Sequence, residues 1–234
     1  ANWRQTLFTE ASLALGTDAA NTNYDIFAYL NGSTLTLERL TWTNNTDRTT
    51  NLALQNGVLV KAGDATRRYL GTYRTSTTIG QTEDSRTRRF VSNALHPVPR
   101  LLRVLDDSVN WSGSTTYRQA RGLTANMLQW VVGTTSLVRA TIHGHASNAQ
   151  GDSLAYLAIG SGTVSTPIAS GFVSTSETTG TIRHLMVEGQ DYVRPGYTSW
   201  VWMERVVGGA TTIWRGTDGD PTATQSGMWG WIDN

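Results

Sequence analysis

The order of apolar and polar positions along this chain is that of short strands joined by tight turns. Tyr24-Asp25-Ile26-Phe27-Ala28-Tyr29-Leu30 is an apolar, aromatic run closed by Asn31-Gly32. That dipeptide accepts the positive φ angles of a two-residue hairpin loop. Thr34-Leu35-Thr36-Leu37-Glu38-Arg39-Leu40 then alternates with period two, which sends successive side chains to opposite faces of a strand. The pattern repeats in Leu52–Gln55, Asn56-Gly57 and Val58–Lys61, and again at Gly63-Asp64 before residues 68–74. Further strands are predicted over 101–105, 117–120, 127–132, 137–145, 154–159, 182–188 and 228–232. Residues 200–207 reach Gly208-Gly209 and return through 211–214, which predicts another hairpin.

One segment reads differently. Residues 75–89 form a polar loop, and 86–95 suit a short helix because Glu83 and Asp84 complement the positive end of its dipole. His96-Pro97-Val98-Pro99 then forbids helix and forces extended backbone. Strands this frequent, with almost no 3.6-residue period, predict an all-β chain: an antiparallel β-sandwich or jelly roll with very little helix. The texture changes near Asp106-Asp107. Two β subdomains are therefore expected, 1–105 and a Trp-rich 106–234, although one continuous sandwich explains the same pattern.

Composition supports this class. The chain has 234 residues, 38% hydrophobic and only 16% charged. Thr, at roughly one residue in seven, suits a half-exposed pleated strand, and the 23 Gly supply turns. The net charge of +1 gives no field to attract nucleic acid. Lys61 is the sole lysine, so fixed contacts fall to Arg, whose planar fork grips carboxylates and stacks on aromatics. There is no Cys, which excludes disulfides and thiolate metal sites. No stretch approaches the ~18 apolar residues of a membrane span, so no membrane insertion is expected. Ala1-Asn2-Trp3-Arg4 lacks the apolar core of a signal peptide and fits a trimmed, native cytosolic start.

Catalytic motifs are sparse. No Gly-x-Ser-x-Gly elbow, P-loop or His-Glu-x-x-His occurs. Of the four His, His143-Gly144-His145 puts two imidazoles on one strand face, a spacing a metal accepts only with further ligands. Asp218-Gly219-Asp220 reads as a turn before a Ca²⁺ loop. No catalytic residue, cofactor or metal is therefore expected. The aromatics say more: six of the 9 Trp follow residue 129. Trp200 and Trp202 share one strand face, as do Trp229 and Trp231. Such indoles serve a core, a subunit interface or a sugar-stacking surface.

One block resembles a known family. It begins Leu35-Thr36-Leu37-Glu38-Arg39-Leu40-Thr41-Trp42-Thr43-Asn44 and runs through Gln55-Asn56-Gly57-Val58-Leu59-Val60-Lys61-Ala62-Gly63. It closes with Thr66-Arg67-Arg68-Tyr69-Leu70-Gly71-Thr72-Tyr73-Arg74-Thr75 and Gly80-Gln81-Thr82-Glu83-Asp84-Ser85. This resembles virion structural proteins of tailed bacteriophages, of the head-fibre, capsid-decoration, tail-fibre or minor structural type. Tyr117-Arg118-Gln119-Ala120, Leu157-Ala158-Ile159-Gly160 and Gly227-Met228-Trp229-Gly230-Trp231 look similar to the same proteins. Those relatives carry an aromatic-rich run where this chain has Val91-Ser92-Asn93-Ala94-Leu95-His96.

The resemblance implies a non-enzymatic particle component, assembled in the host bacterial cytoplasm and resident in the virion. Its expected partners are its own copies, as a homotrimer, and the major capsid protein or other virion proteins. The N-terminal region would anchor and the Trp-rich region would face outward. Arg67, Arg68, Arg74, Glu83, Asp84, Arg86, Arg88 and Arg89 are the expected assembly residues, paired as buried or interfacial salt bridges. An alternative is a host glycan or receptor-binding module using Trp200, Trp202, Trp229 and Trp231. A polysaccharide hydrolase is a third reading, but the carboxylate pair it needs has no visible support.

Overall fold

The computed structural model describes residues 7–148, 153–162, 166–177, 182–208, 212–216 and 225–234. The chain is nearly all β, and its helical turn among these residues is the 3-10 turn Ala120–Gly122. No described helix is long and apolar enough to cross a membrane. Asp218-Gly219-Asp220 lies outside the described residues.

An N-terminal sheet comes first. Its strands are β1 (Asn23–Asn31), β2 (Thr34–Thr41), β3 (Leu52–Gln55), β4 (Val58–Lys61) and β5 (Asp64–Arg74), in the order β2-β1-β5-β4-β3. The turn chemistry is visible in the register. Gln55 pairs with Val58 around Asn56 and Gly57, both at positive φ, as a two-residue hairpin loop requires. Asn31 pairs with Thr34, so the first loop is Gly32-Ser33, one residue later than the dipeptide signal suggests.

The next segment contradicts the expected helix over 86–95. It forms β6 (Arg88–Arg89) and β7 (Val91–Asn93), which join different sheets. β7 pairs with β5, while β6 runs parallel to a later strand. The reason is Phe90 between them: it is buried and packs edge-on against Tyr197. A helix would not hold Phe90 there while giving its neighbours to two sheets.

The rest is a sandwich. Its other strands are β8 (Pro99–Leu105), β9 (Trp111–Ser112), β10 (Arg118–Gln119), β11 (Met127–Val132), β12 (Ser136–Asn148), β13 (Ser153–Ser161), β14 (Pro167–Glu177), β15 (Arg183–Val193), β16 (Gly196–Val207), β17 (Thr212–Arg215) and β18 (Gly227–Asp233). One sheet has the order β14-β13-β16-β11-β6, with β10 also on β16. The other runs β8-β18-β12-β17-β9, with β15 on β12. β8 thus belongs with the later strands, so the sheets do not divide at residue 105. The predicted hairpin over 200–214 is also corrected: β17 pairs with β12 and β9, so the chain leaves β16 for the opposite sheet. A glycine pair permits either route, and burial of Trp214 between the sheets selects this one.

The inner faces interlock through one apolar core. Trp130 and Trp200 meet edge to face at 5.7 Å, and Trp111 and Trp202 at 6.1 Å. That geometry sets the positive edge of one ring against the negative face of the other. The N-terminal sheet is bound to this sandwich by specific polar contacts. Arg48 donates to both Asp25 carboxylate oxygens, at 2.6 and 3.3 Å, and to the Gly133 carbonyl oxygen at 2.6 Å. The Tyr197 amide donates to the Asn45 carbonyl oxygen at 2.8 Å, and Arg74 lies 3.8 Å over the Tyr197 ring.

Candidate functional site

The four candidate tryptophans part company in three dimensions. Trp200 and Trp202 point into the sandwich and are 1% and 0% exposed. They are core residues and present no face to a glycan. The period-two pattern put them on one strand face correctly, but nothing in it distinguishes an inner face from an outer one. Trp229 and Trp231 lie on the outer face of their sheet. His143 and Trp229 pack at right angles with ring centroids 5.2 Å apart, leaving Trp231, 52% exposed, as the open indole.

The register places Trp231 in a cross-strand row. Leu101 of β8 flanks it on one side and Arg139 of β12 on the other, and Gln190 of β15 stands beyond Arg139. The next row is Arg103, Trp229, Thr141 and Glu188. Two open hollows of about 440 and 450 Å³ meet along Trp231 and Arg139. The first is the more polar of the two, with Thr141, Glu188 and Gln190 in its lining; the second is more apolar, lined by Pro99, Leu101, Leu137 and Asp233. The sequence offered no linear signal for Arg139, Glu188 or Gln190, because only strand pairing brings them beside Trp231.

His143 and His145 share that outer face, and β15 adds His184. His143 Nδ1 and His184 Nε2 are hydrogen-bonded at 3.0 Å, with the rings stacked at 5.2 Å. His145 lies 5.0 Å from His184 and bonds through Nδ1 to Ser226 at 3.3 Å. Partial burial, then the neighbouring imidazoles, holds His143 and His145 below the usual histidine range. Among the described residues no group of three or more ligating side chains is arranged to hold a metal.

Five of the eight expected assembly residues, Arg67, Glu83, Asp84, Arg88 and Arg89, form ion pairs within the chain. Glu38 receives Lys61 at 2.8 Å and Arg67 at 2.6 Å, and Arg67 also lies 3.5 Å over Tyr29. Burial alone would raise the Glu38 carboxyl, but these two partners outweigh it and hold it low. Glu83 pairs with Arg88 at 2.8 Å, and Asp84 joins Arg89 and Arg100. Arg88 further donates to Gln129 and Arg89 to the Leu101 carbonyl oxygen, so this loop clasps the sandwich. Arg74 is buried between Asn23 and Asn45, whose side-chain oxygens it reaches at 2.8 Å. Arg68 and Arg86 are exposed and take no part in these pairs.

Glu204 went unnoticed in the sequence. It is fully buried at one end of the sandwich core. Trp111 Nε1 donates to it at 2.6 Å, Arg118 Nε at 2.8 Å and the Arg121 amide at 3.2 Å. Burial pushes its carboxyl up to about 7, against the lowering pull of those donors. The arrangement ties β9, β10 and the 3-10 turn to β16 and leaves no oxygen open to solvent.

The sequence matches no protein-family model and no curated protein. Among solved structures the chain is similar to three of infectious bursal disease virus. It shows 14% identity to the VP2 subviral particle, with TM-score 0.31 over 91% of this chain and 57% of that one. To the Gx strain structure the values are 14%, 0.31, 95% and 58%, and to the Gt strain structure 13%, 0.33, 95% and 57%. The chain thus spans under three fifths of the length of each of these chains, and TM-scores this low carry no weight for its fold or role.

Proposed function

We propose that this protein is a structural component of a bacteriophage virion, a capsid-decoration, head-spike or fibre protein that works by assembly. The observation that carries the reading is an apolar arm. Residues 7–15 lie in irregular backbone ahead of the first strand, with Leu7 95% and Phe8 61% exposed. Arg39 ties the base of this arm by donating to the carbonyl oxygens of Ala14 and Leu15. Leu7 is almost wholly uncovered and Phe8 mostly so among the described residues, and a neighbouring subunit that buried them would gain up to about 1.5–3 kcal/mol each. The resemblance over residues 35–90 supplies the particle: that block builds most of the N-terminal sheet and the ionic clasp. In this reading the N-terminal sheet and arm anchor, and the Trp-bearing sandwich faces outward.

The test is mass-resolved light scattering at micromolar concentration, joined to co-sedimentation with purified particles. A homotrimer that binds particles is expected, weakened when Leu7 and Phe8 are both changed to Asp. A stable monomer that ignores particles overturns the proposal.

A further inference from the structure

We propose that the two hollows flanking Trp231 are adjoining subsites for an oligosaccharide containing an N-acetylated hexosamine. The inference goes beyond the assembly reading and does not depend on it.

An open indole on a flat sheet face offers an apolar plate of the size of a pyranose ring, whose axial C–H bonds pack on such a surface. What separates a sugar from a protein partner is the ring of polar groups around it. Arg139, Thr141, Glu188 and Gln190 line the first hollow; the side chains of Arg139, Thr141 and Gln190 make no hydrogen bond or ion pair with another described residue, and Glu188 exerts an electrostatic pull on His143. A guanidinium, a hydroxyl, a carboxylate and an amide together match the mixed donors and acceptors of vicinal sugar hydroxyls. Trp231 and Arg139 would suit a protein interface as well, but the carboxylates of Glu188 and Asp233 are of the kind an interface core is depleted of, which makes a second copy of this chain the poorer occupant.

The second hollow differs in a way that selects the substituent. Pro99, Leu101 and Leu137 give it an apolar floor, while Arg139 and Asp233 stand at its walls. An acetamido group carries one methyl, one N–H and one C=O. The methyl fits the apolar floor, the N–H donates to Asp233 and the C=O accepts from Arg139. An unsubstituted hydroxyl would leave the apolar floor in contact with water.

The experiment is heteronuclear NMR titration of the folded chain, following the Trp231 indole N–H and the backbone amides of Arg139 and Gln190 beside it, with N,N′-diacetylchitobiose and cellobiose as probes. The acetylated disaccharide is expected to bind about tenfold more tightly than cellobiose, the scale of one added polar contact with methyl burial. Trp231→Ala should weaken it about tenfold or more through loss of the stacking plate. Leu101→Asp should lower its affinity to that of cellobiose. Equal affinity for the two probes overturns the acetamido assignment. No shift with either probe overturns the site. Loss of a native oligomer in Trp231→Ala would assign the face to a neighbouring copy and overturn it as well. Each outcome is read separately from particle binding, so failure here leaves the assembly proposal standing or falling on its own test.

Discussion

Arg48 holds Asp25 with two hydrogen bonds, at 2.6 and 3.3 Å, in a site where Asp25 is 2% exposed. Asp25 also accepts from Thr72 at 2.6 Å, and Arg48 packs 4.3 Å over Trp42. Removing the cation would leave a buried carboxylate short of its charge partner. Arg48→Ala is therefore expected to cost about 3–5 kcal/mol, measured by urea denaturation. The double variant Arg48→Met with Asp25→Asn should recover part of that loss. Equal destabilisation by single and double variants would contradict the pairing.

Gly133 sits where the N-terminal sheet meets the sandwich. A Cβ there would fall 1.8 Å from the Tyr69 hydroxyl and 2.6 Å from the Thr72 hydroxyl. Gly133→Ala should lower stability by about 1–3 kcal/mol through forced displacement of a buried ring. Tyr69→Phe removes the colliding oxygen, so the double variant should lose less than the two single losses combined. Thermal unfolding of the four proteins checks this.

Glu204 predicts an unusual pH slope. Its folded carboxyl is raised to about 7 from an ordinary 4.5, so the folded state holds the proton more tightly than the unfolded state. The stabilisation from this group is complete below the unfolded value and is lost as pH rises through 7. The swing is on the order of 3 kcal/mol. Glu204→Gln should flatten the dependence of the urea midpoint between pH 5 and pH 8, a window about those two values. An unchanged slope would rule out Glu204 as its source.

The histidine cluster slopes the other way. His143 and His145 are held low by partial burial and by His184, so they resist protonation in the folded state. Their stabilisation is complete above the ordinary value of 6.5 and falls away as pH drops through the folded values. NMR titration should place both below 6.5, and His184→Asn should move both upward. Titration of both rings at the ordinary value in the native chain would contradict the geometry.

Asp84 tests the clasp. It pairs with Arg89 and Arg100 at about a quarter side-chain exposure, where solvent screens part of the attraction. Asp84→Ala should cost about 1 kcal/mol, and less in high salt. Unchanged melting and unchanged assembly together would remove this loop from any structural role.

The β class was legible in the sequence because the side-chain period of a strand is local. Asn56-Gly57 marked a hairpin that the structure contains, since positive φ at both positions is a property of those two residues. Residues 127–132 and 228–232 were likewise readable from their own apolar content. β14 was missed because its Ser, Thr and Gly content reads as loop until β13 pairs with it. The segment 86–95 misled because its acidic start does suit a helix, and only the distant partners Tyr73 and Gln129 make it strand.

The candidate site divides along the same line. The sequence alone determined that Trp200 and Trp202 share a face, that Trp229 and Trp231 share another, and that His143 and His145 point together. Alternation fixes relative direction within one strand and nothing more. Only the tertiary structure decided which face meets the core. It buried Trp200 and Trp202 between two sheets, left Trp231 open, and set Arg139 and Leu101 beside it from strands 92 and 130 positions away in sequence. The physical reason is that cross-strand neighbours are chosen by packing of the whole sandwich, a free energy no single segment contains.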